Sequence, residues 1–150
     1  MNDLSDLYQE IIMDHRRNPR NEGLPAENTH TADGFNPFCG DKVSVALIIK
    51  DGSITNVGFT GEGCAISMAS ASLMTEAVSG KSVAEAIASF QGFRALLTDG
   101  DAERTGDVDL GDLEALAGVR AYPTRIKCAI LSWHTLKSAL DNNSAPVTTE

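Results

Sequence analysis

The chain has 150 residues, of which 42% are hydrophobic, and a formal net charge of −9 at pH 7, which is typical of one globular domain spanning residues 1–150. No apolar run approaches the ~20 residues of a membrane span, the acidic N-terminal segment lacks the plan of a signal peptide, and an acidic chain without a basic stripe argues against nucleic-acid binding. We therefore expect a cytoplasmic domain that binds neither membranes nor nucleic acid.

The first half of the chain predicts one helix and a β-hairpin. Apolar residues at helical spacing in residues 4–15 predict an amphipathic helix of about four turns. Residues 18–38 are rich in Asn, Gly, Pro and Thr and predict a long connection, in which residues 29–34 are the available stretch for a third strand. Alternating apolar residues in 43–49, followed by the turn Asp51-Gly52, predict two antiparallel strands.

The second half of the chain predicts helices. Residues 66–79 are rich in Ala, Met and Leu and favour a helix, and Ser82 with Glu85 resembles the capping box of the next one. The acidic segment, residues 99–114, then holds seven acidic residues against one arginine and so contributes −6 of the net charge of −9. Leucines at its end suggest a short helix, and Pro123 suits the start of the last helix.

These elements predict an α+β fold, in which a small antiparallel sheet packs against helices on one face. The reason is that the apolar face of the hairpin has to be covered by the helices that follow it. Residues 142–150 lie beyond the last helical pattern and are predicted to be a disordered tail. Neither an internal repeat nor a linker divides the chain.

The three cysteines of the chain are candidate metal ligands. Cys39, Cys64 and Cys128 lie beside residues that break or start elements, whereas a packing cysteine is expected inside an apolar pattern. Gly40 permits dihedrals that turn Cys39 and Asp41 toward one centre, and helix starts favour the thiolate at the other two cysteines. Three thiolates and a carboxylate complete a tetrahedral zinc site. Spacing alone leaves three unrelated cysteines as the alternative, because no CxxC pair is present.

Three segments resemble, in order, the cysteine motifs of the SufU/IscU/NifU N-terminal family: Asn-Pro-Phe-Cys-Gly-Asp at residues 36–41, Gly-Glu-Gly-Cys-Ala-Ile-Ser at 61–67 and Arg-Ile-Lys-Cys-Ala at 125–129. IscU-type scaffolds place a histidine directly before the third cysteine, whereas this chain has Lys127. The acidic segment also resembles an insertion of the SufU branch. The resemblance is therefore to the SufU type, and it implies a SufE/IscU-like sandwich fold.

The resemblance implies a zinc-dependent sulfurtransferase of iron-sulfur cluster assembly. It would accept persulfide sulfur from a SufS-type cysteine desulfurase and relay it to the SufBCD machinery. Cys39 lies on a loop, so we expect it to be the sulfur acceptor and a metal ligand, with Asp41, Cys64 and Cys128 retaining the ion. Arg125 is a candidate contact for a partner carboxylate or for the persulfide.

Two other functions use the same residues. One is an IscU-like scaffold that assembles a 2Fe-2S cluster or binds iron, because cysteine thiolates also ligate clusters. The other is a purely structural zinc domain, against which the carboxylate ligand argues. Residues 122–127 depart from the Leu-Pro-Pro-Val-Lys chaperone motif of IscU proteins, so an Hsp70-type chaperone partner is not expected. His15, His30 and His134 are not expected to be metal ligands, and His15 and His134 are interpreted as ordinary residues of amphipathic helices.

Overall fold

The computed structural model describes residues 3–98, 110–142 and 146–149, with side chains from residue 6 onward. The elements follow in the order α1 (Asp3–Arg17), β1 (His30–Asn36), β2 (Asp41–Lys50), β3 (Ser53–Glu62), α2 (Ala65–Val78), α3 (Val83–Thr98), a 3₁₀ helix (Gly111–Ala121), α4 (Pro123–Leu140) and β4 (Val147–Thr148). Residues 99–109, the larger part of the predicted acidic segment, lie outside the described residues.

The sheet has the strand order β3-β2-β1-β4. Its first three strands are antiparallel, with β1 arising from the stretch before Cys39 that was predicted as a third strand. The predicted α+β class and the antiparallel hairpin are thus confirmed. The fourth strand runs parallel to β1 and makes the sheet mixed.

The expectation of a disordered tail at residues 142–150 is wrong at Val147–Thr148. These residues form β4 beside β1, and the N–H of Thr149 donates to the carbonyl oxygen of Phe35 at 3.1 Å. The physical reason is that β1 would otherwise present a row of unpaired backbone groups at the sheet edge, which an added strand satisfies.

Helices cover one face of the sheet, as predicted. Inward-pointing residues of β2, such as Val45 and Leu47, join Met74 of α2 and Trp133 of α4 in one hydrophobic cluster. The alternation of β2 continues back to its first residue, Asp41, which is buried at 0% exposure. The same alternation that builds the core therefore carries a carboxylate to the helix-covered side at the end of the sheet.

The helix boundaries follow from local chemistry. The predicted capping box is present: Ser82 N–H donates to Glu85 Oε1 at 2.9 Å and Glu85 N–H donates to Ser82 Oγ at 3.0 Å. Pro123 is the first residue of α4, where its missing N–H costs nothing. Among the helices of the described residues, none is both long and apolar enough to cross a membrane.

The N-terminal helix is tied to α2 by a buried polar contact. His15 Nδ1 lies 2.7 Å from Ser72 Oγ, which also accepts the N–H of Arg20 at 2.8 Å. His15 Nε2 lies 3.4 Å from Glu76 Oε1. Burial, followed by the charge of Arg20, lowers the pKa of His15, although the carboxylate of Glu76 opposes this shift. The imidazole is therefore neutral in the fold near neutral pH.

Replacing Gly34 by alanine is expected to destabilise the fold by ~1–3 kcal/mol, the usual cost of overpacking a core. A Cβ at this position of β1 would collide with Thr135 Oγ1 and lie 3.1 Å from Leu131 Cδ1 on α4. Gly118→Ala is the matched control, because an added Cβ there would meet nothing within 4 Å beyond its chain neighbours and its own helix backbone. Urea unfolding of both variants measures the difference, and equal midpoints would contradict the close packing of α4 on β1.

The free energy of unfolding is expected to fall as the pH decreases from about 7.5 to about 5.5. Histidines that are buried in their neutral form bind a proton more readily in the unfolded chain, so lowering the pH favours unfolding. The contribution is complete above the unfolded pKa of 6.5 and declines below it, since the pKa of His15 is lowered in the fold. Burial also lowers the pKa of His134. The measurement is the melting temperature as a function of pH, and its decrease toward low pH should be smaller in His15→Asn than in the wild type. An unchanged pH dependence in this variant would exclude His15 as the cause.

Candidate metal centre

Three of the four predicted ligands converge at one end of the sheet. Cys39 lies in the turn between β1 and β2, Asp41 is the first residue of β2, and Cys128 lies in the second turn of α4. Their ligand atoms all lie within 4.8 Å of one another, and this is the group of possible metal ligands found among the described residues. None of the histidines that the structure describes belongs to it.

Asp41 is a fully buried carboxylate with both oxygens hydrogen-bonded. Its Oδ1 accepts the backbone N–H of Cys64 at 2.9 Å, and its Oδ2 accepts from Asn36 Nδ2 at 3.1 Å. A buried charge is tolerated only when such donors replace the water it has lost. The carboxylate is therefore held between the start of α2 and the end of β1.

Gly63 makes room for this carboxylate. Its φ is +157°, and a Cβ added there would contact Asp41 Oδ1 and lie 3.0 Å from Asp41 Cα. The absence of a side chain allows the backbone before α2 to approach Asp41 closely enough for the Cys64 N–H to reach it. Gly63 thus shapes the site as well as the approach to α2.

The two converging cysteines differ in exposure. Cys39 is exposed and Cys128 is buried, and both are free thiols. The thiol of Cys128 donates to Cys39 Sγ at 3.2 Å. Burial is the largest cause of a raised pKa at Cys128, and hydrogen bonds with Cys39 and Asp41 act in the same direction. A bound divalent cation reverses this preference, because it stabilises the thiolate over the thiol.

Cys64 lies at a helix start, as predicted, but its thiol is outside the group within 4.8 Å. It is the N-cap of α2, and its Sγ accepts the N–H of Ser67 at 3.4 Å. This hydrogen bond turns the thiol back toward its own helix, while the Cys64 backbone N–H points to Asp41. Cys64 therefore borders the site through its backbone.

Arg125 is an exposed cation on the first turn of α4. A hydrogen bond with Cys128 is the main cause of its raised pKa, and electrostatic interactions with Cys64, Cys128 and Cys39 act in the same direction. The guanidinium therefore stays protonated beside all three cysteines. Lys127, in contrast, places its Nζ 4.1 Å from the ring centroid of Phe38, a cation–π contact between α4 and the Cys39 turn.

Asn36 is a site residue that the sequence interpretation missed. It is buried at 0% exposure, and its amide contacts both Asp41 and Cys128. Its place at the start of the Cys39 motif is the one sequence feature that could have pointed to it. Its role, however, depends on the register in which Asn36 pairs with Asp41 across β1 and β2. Local spacing does not reveal that pairing.

The donor set fits a thiophilic divalent metal. Two thiols and a buried carboxylate already converge, and a third thiol lies at the adjacent helix start. Sulfur ligands favour zinc or iron-sulfur chemistry over magnesium or calcium, and a carboxylate together with thiolates is compatible with tetrahedral zinc.

Comparison with known proteins places the chain in a family. Residues 7–129 match the family model of the NifU-like N terminal domain. The chain is 42% identical to the zinc-dependent sulfurtransferase SufU of Bacillus subtilis (strain 168), with 91% of each chain covered. It is 37% identical to the iron-sulfur cluster assembly scaffold protein IscU of Streptococcus pyogenes serotype M1, over 94% of this chain and 87% of that relative.

The fold comparison agrees. The chain is similar, with a TM-score of 0.79 and 32% identity, to the crystal structure of a candidate iron-sulfur cluster assembly scaffold protein for the SUF system from Fervidobacterium islandicum AW-1. That match covers 87% of this chain and 94% of the other. The chain therefore belongs to the NifU-like N-terminal domain family, the IscU/SufU family of iron-sulfur cluster assembly proteins.

Proposed function

We propose that the chain is a cytoplasmic, zinc-dependent sulfurtransferase that accepts persulfide sulfur from a SufS-type cysteine desulfurase and passes it to the SufBCD machinery. The observation that carries the proposal is the convergence of an exposed thiol, Cys39, with a buried thiol, Cys128, and a buried carboxylate, Asp41, whose ligand atoms lie within 4.8 Å of one another. A sulfur acceptor needs an accessible thiolate, and the two buried groups beside Cys39 are suited to hold a metal ion that keeps it deprotonated. The similarity to a zinc-dependent sulfurtransferase supports it.

Zinc would be held by Asp41, Cys128, Cys64 and Cys39. When bound, the ion supplies the positive charge that keeps the thiols deprotonated. Asp41 and Cys128 are already in place, whereas Cys64 would have to turn its thiol away from the Ser67 N–H. The Cys64 side chain can rotate without moving α2, because the backbone N–H that anchors it to Asp41 does not depend on the thiol.

Cys39 is the residue that can leave the group. It lies in the exposed turn at residues 37–40, whereas Asp41 and Cys128 are buried in β2 and α4. Moving Cys39 outward therefore exposes little apolar surface and leaves the core intact. Movement of either buried ligand would disturb a strand or a helix.

Sulfur transfer at Cys39 is a balanced exchange. The Cys39 thiolate attacks the outer sulfur of the desulfurase persulfide, a new S–S bond forms at Cys39, and the S–S bond of the desulfurase breaks. The desulfurase cysteine leaves as a thiolate, and the outer sulfur moves to Cys39 in the protonation state that it had in the desulfurase persulfide. Cys39 is thereby oxidised to a persulfide while the desulfurase cysteine is reduced.

Arg125 would stabilise the anions of this exchange. Four anionic ligands on a divalent ion leave a net negative charge, and a persulfide is itself ionised near neutral pH. The guanidinium beside Cys128 offers several N–H donors in a planar array, and it is exposed enough to meet a partner carboxylate as well.

The scaffold function remains the second candidate because the same thiols would ligate a 2Fe-2S cluster or iron. The similarity to an IscU scaffold protein favours it. Metal analysis and the visible spectrum of protein purified without added iron separate the two. Stoichiometric zinc in a colourless protein supports the relay, and a coloured iron-sulfur cluster supports the scaffold.

Cys39→Ser is expected to keep most of the bound zinc but to abolish stimulation of desulfurase turnover, because the acceptor sulfur is lost while the buried ligands remain. Cys64→Ser and Cys128→Ser should weaken zinc retention more, since both residues belong to helix starts. Zinc content after gel filtration and desulfurase turnover measure the two effects.

The position of the transferred sulfur tests whether Cys39 is the acceptor. Mass spectrometry after one turnover should find the added sulfur on Cys39. Sulfur on Cys64 or Cys128 alone, with Cys39→Ser still active, would rule the proposed mechanism out.

Phe38→Ala is expected to increase the rate of Cys39 alkylation by iodoacetamide about two- to five-fold, the range that an exposed cation–π contact of ~0.5–1 kcal/mol allows. The ring of Phe38, under Lys127 Nζ, ties the turn to α4. Lys127→Met should have the same effect, because it removes the cation and keeps the apolar stem. Lys50→Met, at the far end of β2, is the control and should leave the rate unchanged. Equal rates in all variants would show that the contact does not hold the turn.

A further inference from the structure

Asn36 uses both ends of its side-chain amide inside the candidate metal centre. Its Nδ2 donates to Asp41 Oδ2 at 3.1 Å and to Cys128 Sγ at 3.4 Å. Its Oδ1 accepts the backbone N–H of Phe38 at 3.2 Å. A primary amide has two N–H donors and one carbonyl acceptor, so each kind of group that Asn36 offers has a partner.

These contacts determine which way the amide points. Rotating it by half a turn would place the carbonyl oxygen against the carboxylate of Asp41 and the NH₂ group against the Phe38 N–H. Both new contacts would be repulsive, and the residue is buried at 0% exposure, so water could not relieve them. The donors of Asn36 therefore face the ligand atoms and its acceptor faces the turn.

The position of Asn36 follows from the sheet. It is the last residue of β1 and pairs with Asp41, the first residue of β2. Both residues alternate inward, toward α4. The amide therefore lies between a carboxylate on the neighbouring strand and a thiol on the covering helix, 92 residues away in the chain.

We propose that Asn36 is a positioning residue that holds Asp41 and Cys128 together as the fixed pair of metal ligands, while the chain that begins at Phe38 carries the movable Cys39. This inference rests on the proposed metal centre. Donors to a ligating carboxylate and a ligating thiolate orient both ligands, and residues in such positions commonly affect metal affinity by ~10–100-fold.

Asn36→Leu is the test, because leucine keeps a similar volume and removes the donors and the acceptor. Zinc affinity, measured by competition with a chromophoric chelator, is expected to fall at least ~10-fold. Asn28→Leu is the matched control. Asn28 is an exposed asparagine in the loop before β1 with one local hydrogen bond, to the carbonyl of Pro25. The zinc affinity of the Asn28→Leu variant should equal that of the wild type.

A second comparison separates positioning from general destabilisation. If Asn36 acts largely through Asp41, the loss caused by Asn36→Leu should become several-fold smaller in an Asp41→Ala background, because contacting residues that act together are not additive. A residue that only supports the fold would lower the melting temperature and reduce affinity equally in both backgrounds. Asn36→Ala, compared in the same way, keeps the test open if the leucine variant fails to fold.

The outcomes distinguish this inference from the proposed function. Wild-type protein that binds no zinc would overturn the metal centre and this inference with it. Zinc affinity equal in the wild type and in a folded Asn36 variant, or an equal loss with and without Asp41, would overturn the role of Asn36 alone. A loss that depends on Asp41 is the result we expect.

Discussion

The candidate site depends on the hydrogen bonds that satisfy the buried carboxylate of Asp41. A carboxylate without exposed surface is costly to bury by several kcal/mol unless protein donors replace its hydration, and here the donors come from two other elements, the start of α2 and the end of β1. Satisfying this one charge brings the backbone of Cys64 and the amide of Asn36 to the same point. The thiol of Cys128 reaches that point because α4 covers the sheet. The site is thus built from the same contacts that order this end of the fold.

The division of the site into a buried and an exposed part follows from these elements. Asp41 and Cys128 belong to a strand and a helix that contribute to the core. Cys39 belongs to a short turn that is tied down by a hydrogen bond at Phe38 and by the cation–π contact with Lys127. Contacts of this strength are easily broken and remade, which fits the proposed role of Cys39 as a movable sulfur acceptor.

Cys64 links local helix chemistry to the proposed metal chemistry. Its thiol caps α2 by accepting the N–H of Ser67, and a thiol is a weak acceptor, so the loss of this cap in the proposed zinc site would cost little. A hydroxyl at the same position would cap the helix well but would be a poor zinc ligand. A cysteine at this helix start therefore combines a helix-capping side chain with a donor for the proposed zinc site.

Much of the architecture could be predicted from the sequence because it depends on neighbours in the chain. The alternation of Val43, Val45 and Leu47 defined β2, Ser82 with Glu85 defined the start of α3, and Pro123 defined the start of α4. The motif around Cys39 and Asp41 marked the site in the same local way.

Contacts between distant segments were decided only by the tertiary structure. The short strand at Val147–Thr148 depends on the open edge of β1, and the role of Asn36 depends on the register of two strands and on a helix 92 residues away. The hydrogen bond from the Cys64 backbone N–H to Asp41 likewise depends on how the start of α2 meets β2. Local pattern specifies which element a residue joins, whereas the partner of a buried polar group is specified by the packing of elements against one another.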